Sequence, residues 1–307
     1  MHYFLIILLI ITNSALAAED VELGFFDKSH QFVSKQITSV SKGFDLLFGD
    51  KQFEDTKGTT VSLEQYFTSI QDKSLIKETR VRAKWIFPNM KKKLRLVVSQ
   101  SSRITEANQQ NQEAELRTKA SKNDDSLSAG LSYSLRDYEK FKFSLSSGVL
   151  IRDPLDLYVR SSLRYKKYLN WTNIFITQKI FLYKEDGLGS SLKIDLKNKV
   201  SENKTYIFGN FFYWYNNTDI VEYITGPTFV HEISDRRKIS YNMKFLFSNK
   251  PTEQLYAHLL FINYRQRLHN KWLYAELIPS LEFPRSNNWK RIAAITVKLQ
   301  AIFGDVR

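Results

Sequence analysis

Arg80, Arg82 and Lys84 stand at alternate positions of one short stretch, with Val81, Ala83 and Trp85 between and beside them. The same spacing puts Arg95, Arg136, Lys142, Arg152, Arg160, Arg164, Lys193, Lys197 and Lys298 on polar rows backed by apolar ones. In an extended strand successive side chains point to opposite faces, so each row gathers its cations on one surface. Cations gathered that way concentrate anions and replace part of their hydration. Fewer carboxylates share the polar rows: Glu64, Asp195, Glu222, Glu276 and Glu282. Where such a carboxylate meets an Arg, two-pronged pairing neutralises both and stiffens the wall. Glu276 and Glu282 are the acidic partners expected to do so.

The elements that must carry these rows are strands. Candidates begin near Thr60, Thr79, Lys92, Leu127, Phe141, Leu155, Trp171, Leu188, Lys204, Ile220, Lys238, Glu253, Lys271 and Lys290. Each is close to the ~9–11 residues that cross a bilayer when tilted. Most joints are short and carry turn residues, such as Asp153-Pro154, Glu185-Asp186-Gly187 and His269-Asn270. One joint, Ser101 to Ser126, is long and polar. Two strands alternate poorly: Lys204 to Tyr215 is aromatic on both faces, and Ala257 to Ile262 is apolar on both. A bulge near His258 would reconcile the second, and a bulge is also expected at Pro279, which lacks an amide donor.

The segment before the strands differs. Leu5 to Ile11 is greasy, and Ala15-Leu16-Ala17 offers a small-x-small cleavage site, so residues 1–17 read as an export signal peptide without a basic n-region. Phe26, His30, Val33, Ile37, Val40, Phe44 and Leu47 then recur every three or four residues, the mark of an amphipathic helix. Residues 18–59 form this helix and a polar connector, 60–303 the strands, and 304–307 a short tail. Strands that are oily on one face and cationic on the other fit an all-β fold. The expectation is an antiparallel transmembrane β-barrel of about 14 strands, with 12 the alternative, preceded by one amphipathic helix. A dozen Arg and Lys facing lipid would each cost ~2–4 kcal/mol at mid-depth, which forces the polar rows inward.

Composition narrows the functions. The chain has 307 residues, no cysteine, a net charge of +13 and 14% aromatic residues. Thiol chemistry and Cys-ligated metals are excluded. No HExxH, Gly-x-Ser-x-Gly or phosphate-loop motif occurs, so neither a metal site nor a cofactor is expected. The basic surplus is spread over many strands, which fits anionic solutes and lipid headgroups and argues against nucleic acid. His231 or His258 could serve an outer-membrane lipid hydrolase, a minor reading; catalytic residues are otherwise not indicated. A soluble secreted β-sandwich is the rival fold.

The stretch Val297-Lys298-Leu299-Gln300-Ala301-Ile302-Phe303 resembles the closing strand of Gram-negative outer-membrane β-barrel proteins, which ends in an aromatic residue read by the barrel assembly machinery. The tail after Phe303 departs from that pattern. The resemblance implies Leu299, Ala301 and Phe303 as the assembly signal, an outer-membrane location after signal cleavage, and contact with outer-membrane lipid and lipopolysaccharide. Two functions are expected. The first is a porin-like passive channel with a basic, anion-biased lumen lined by Arg80, Arg82, Lys84, Arg95, Arg136, Lys142, Arg160, Arg164, Lys193 and Lys298. The second is a closed structural barrel whose helix or long loop binds a partner.

Overall fold

A computed structural model describes residues 25–45, 59–87, 94–100, 127–185, 187–217, 219–250, 254–270 and 272–304. The expected export signal, most of the connector, the 101–126 joint and the last three residues lie outside the described set. Among the described residues one helix, α1 (Phe25–Asp45), precedes fourteen strands. They are β1 (Thr60–Ile70), β2 (Ile76–Phe87), β3 (Leu94–Gln100), β4 (Leu127–Asp137), β5 (Phe141–Ile151), β6 (Asp156–Tyr168) and β7 (Asn173–Tyr183). Then come β8 (Gly187–Ser201), β9 (Lys204–Tyr215), β10 (Ile220–Ser234), β11 (Arg237–Ser248), β12 (Gln254–His269), β13 (Leu273–Pro284) and β14 (Ile292–Gly304). Each pairs antiparallel with its sequence neighbours, and β1 pairs with β14 from Thr60↔Gly304 to Ile70↔Ala294, closing a barrel. Closure leaves no open sheet edge.

The alternation sorts side chains as the spacing predicts. Leu63, Leu131, Leu145, Leu157, Leu182 and Leu299 point outward and stay 38–56% exposed. In water such a continuous apolar band would be anomalous. Opposite them, Glu64, Arg80, Glu276 and Lys298 are buried inside, at 2% exposure or less. Fourteen strands are present, not twelve.

The interior is not uniformly polar. Leu150, Tyr158, Phe181, Tyr183, Phe211 and Tyr213 belong to a buried apolar cluster that also takes in Leu246, Leu259, Phe261 and Ile278. All sit on inward positions, in the half of the barrel away from α1. This explains the two strands with poor alternation: Lys204–Tyr215 and Ala257–Ile262 have one apolar face outward and a second packed inside. Glycines make room for the inward rings. Gly130 and Gly148 are cross-strand partners, and a Cβ on Gly130 would lie 2.3 Å from the Tyr158 hydroxyl oxygen.

Near His258 the register shifts between Leu246 and Phe247, whose partners are Ala257 and Leu255, so Tyr256 is the extra residue. The bulge expected at Pro279 is absent. Phe261↔Ser280 and Tyr264↔Leu277 keep one register across it, and Pro279 pairs with Ile295 on the other side. The intervening β12–β13 bridges are simply missing, which accommodates the absent N–H without an extra residue.

Helix α1 docks at the end holding both barrel termini, against β14 and β2. Its docked face is Asp27, His30, Ser34 and Ile37, rotated from the expected apolar face: Val33 is exposed, as is Phe32. The Phe26, Val40 and Phe44 side chains and Leu47 lie outside the described set. Polar caps explain the rotation. The carboxylate of Asp27 accepts from Asn270 and Trp272 at 3.2 Å each and faces His269 Nε2 at 2.8 Å. His30 Nε2 donates to the Ile302 carbonyl at 2.8 Å, and the Gly304 amide donates to Ser34 Oγ at 3.0 Å. The His30 ring also stacks on Trp272 and on outward-facing Phe303.

Candidate basic lumen

The inward rows divide into three neighbourhoods. The first is a buried ion network across β1, β12, β13 and β14. Lys298 Nζ lies 3.4 Å from Glu64 Oε1 and 3.5 Å from Glu276 Oε1, within ion-pair range but poorly aligned for hydrogen bonds. Arg265 Nη1 donates to Glu276 Oε1 at 2.5 Å and its Nη2 to Gln300 Oε1 at 3.0 Å. Gln300 Nε2 in turn donates to Glu64 Oε1 at 2.8 Å, and the Tyr66 hydroxyl to Glu64 Oε2 at 2.8 Å. Arg80 is 1% exposed, donates to Glu78 and stacks over the Tyr66 ring at 4.4 Å.

The second is a chamber of about 320 Å³ on the β2–β7 wall. Lys84, Arg95, Lys142, Arg160, Arg164 and Lys179 line it, interleaved with serines, and none of its described lining residues is acidic. The third, of about 290 Å³ on β8–β11, holds Lys193, Lys197, Lys238 and Lys244. Asp195 offsets Lys193 there at 3.4 Å. No helix residue lines either chamber.

Nine of the ten basic residues expected inside can be placed. Arg80, Lys193 and Lys298 have carboxylate neighbours; Lys84, Arg95, Lys142, Arg160 and Arg164 line the all-basic chamber; Arg82 is inward on β2 between Arg80 and Lys84. The Arg136 side chain lies outside the described set. A register shift between Ser134 and Arg136 also breaks the alternation behind its assignment. Arg152 is corrected: it sits past the end of β5 and pairs with Asp156 rather than joining the wall row. Of the acidic partners, Glu276 carries the Arg pairing, through one guanidinium nitrogen and not two. Glu282 stands inward opposite Leu259. Leu299, Ala301 and Phe303 form one outward row of β14, opposite Gln65, Leu63 and Val61.

Inward cations that escaped the sequence reading include Lys179, Lys238, Lys244, Arg265 and Arg267. Lys179 shares its row with Phe175 and Phe181, which hides it among apolar side chains. Arg265 lies beyond the Tyr256 bulge, where counting by twos goes astray. Lys238 and Lys244 were legible in principle, since β11 alternates cleanly. Of the histidines, His258 packs against Phe245 and Trp289, and His231 Nε2 lies 3.4 Å from Asn203 Nδ2.

These features define a closed antiparallel barrel with the fold of outer-membrane β-barrel proteins. Among the solved structures similar to the chain is a loop-deletion variant of OmpT, an outer-membrane protein of Vibrio cholerae: TM-score 0.50, 8% identity, 80% of this chain and 98% of that one. OccK11 of Pseudomonas aeruginosa follows with TM-score 0.45 and 9% identity over 82% of this chain and 99% of that one. The KdgM porin has TM-score 0.38 and 8% identity over 78% and 98%. No family profile and no curated relative matches the chain.

Proposed function

We propose that the chain is a porin-like passive channel in the outer membrane of a Gram-negative bacterium, with a basic, anion-biased lumen. The observation that carries this is the surplus of cations over carboxylates among the described inward residues, including a chamber whose described lining holds six cations and no acidic residue. Anions entering would exchange part of their hydration for Arg and Lys side chains. The apolar outer band would face lipid tails, with lipopolysaccharide and headgroups at its edges. Leu299, Ala301 and Phe303 would be presented to the assembly machinery before closure. Long loops belong outside in such barrels, and the end of β3 and the start of β4, which flank residues 101–126, lie at the barrel end opposite α1, so α1 would lie on the periplasmic side. Uptake into proteoliposomes tests the reading: small anionic solutes should enter faster than cationic ones of the same size, and equal or reversed rates would refute it.

A second reading is favoured by the packed aromatic half of the interior. In it the barrel is closed and the helix or long joint binds a partner. It expects no solute flux at all in the same assay.

A further inference from the structure

We propose that Glu222, with the aromatic wall beside it, is a binding site for a compact organic cation of the alkylammonium class. The inference goes beyond the channel reading: the site needs an open mouth at the barrel end away from α1, not a path through the lumen. Glu222 turns inward near the start of β10. It stands directly opposite Tyr213 on β9 and Ser248 on β11, and its inward neighbour along β10 is Ile224. None of these carries a charge. The side chain is half-buried, and among the described residues it makes no hydrogen bond or ion pair. Lys193 of β8 lies 3.4 Å from Asp195, and Lys244 of β11 donates to Thr228 at 3.0 Å and to the Gly226 carbonyl at 3.3 Å, so neither is spent on Glu222. A partly desolvated carboxylate without a partner is costly. A cation arriving from outside supplies the partner that this chain, for all its net charge of +13, withholds.

The wall next to it selects which cation. Side chains directly opposite across a strand pair have Cβ atoms ~4.5–5.5 Å apart, so a ligand on the Glu222 carboxylate also meets Tyr213. Tyr213 and Tyr215 stack at 6.2 Å and 13°, and Phe181 of β7 stacks on Tyr213 at 5.9 Å. Gly189 of β8 lets these rings meet across it: a Cβ there would lie 2.2 Å from Phe181 Cε2 and 2.7 Å from Tyr215 Cδ2. The rings are therefore fixed before a ligand arrives. Aromatic rings attract cations that give up water readily, which an alkylammonium does and a hydrated metal ion does not. Metal ions also take several oxygen ligands, and among the described residues no group of three or more His, Cys, Asp or Glu could hold one.

Saturation-transfer NMR on the N-methyl protons of tetramethylammonium tests the site, with the protein folded in a maltoside detergent in sodium phosphate buffer at neutral pH. Saturable binding is expected, weakened about tenfold in Glu222→Gln, which keeps the side chain's shape and breaks no ion pair. Tyr213→Leu should weaken it several-fold, whereas Tyr213→Phe, which keeps a ring, should stay within about twofold of wild type. Glu232→Gln removes an exposed carboxylate at the other end of β10 and should bind as wild type does. Potassium chloride at the ligand's own concentration should not displace it, a comparison that needs only the wild-type protein. Absent saturable binding by wild type, equal affinity in folded Glu222→Gln, or displacement by potassium overturns the proposal. Planar-bilayer currents test the channel reading separately. Binding without current leaves this site standing and removes the channel; anion-selective current without binding does the reverse.

Discussion

Lys298 is the most constrained residue in the barrel. It is fully buried between two carboxylates, and its removal would leave Glu64 and Glu276 facing each other without it. Removing one partner of a buried pair costs ~3–5 kcal/mol, because the remaining charge keeps its desolvation penalty. Lys298→Met is therefore expected to lower stability by about that amount in urea unfolding of the detergent-solubilised protein. Glu276→Gln should cost less, since the amide can still accept from Arg265. Unchanged midpoints for both would show that water reaches the network freely. At this scale the sequence was half legible. Periodicity placed Arg80, Arg82, Lys84 and Lys298 on inward rows, yet it could not tell a cation held in the buried network from one lining a chamber. That distinction depends on which strands become neighbours across the barrel.

The helix and the bulges set the element scale. Alternation made the strands visible, and each begins within three residues of its expected start. The helix was visible too, and its docked face in part: His30 and Ile37 meet the barrel as expected, with Asp27 and Ser34 in place of Val33. The apolar row pointed to Val33, whereas the side chains that meet the barrel are chosen by unsatisfied groups at the ends of β12 and β14. The hydrogen bond from His269, followed by those from Trp272 and Asn270, holds the Asp27 carboxyl below its usual 3.8. A carboxyl depressed on docking contributes fully above that ordinary value and loses its contribution as pH falls through the lowered one. Helix docking should therefore be stable at neutral pH and weaken below about pH 3.8. Hydrogen exchange at the Gly304 amide, which donates to Ser34 Oγ, would report it. Protection relative to a free amide should be present at neutral pH and fall in acid, and Asp27→Asn should show the loss at every pH. A protected Gly304 amide in Asp27→Asn would contradict this account of the clasp.

The whole molecule is a cylinder with an apolar outside and an interior split between charge and aromatic packing. The outside was legible because outward-facing positions obey one simple rule. The inner aromatic half was not, since a strand apolar on both faces looks like a failed alternation until closure gives its second face something to pack against. Phe261 belongs to that core at 4% exposure. Phe261→Ala should cost ~3–5 kcal/mol and, where a channel exists, raise its conductance by removing bulk from the lumen. Loss of stability without any change in current would place the solute path elsewhere. The most direct test of the central claim is the reversal potential of the purified barrel in a planar bilayer under a salt gradient. Discrete current steps with a potential of the sign for anion preference are predicted. Silence, or a potential of the opposite sign, would contradict the claim that these inward cations line an anion path.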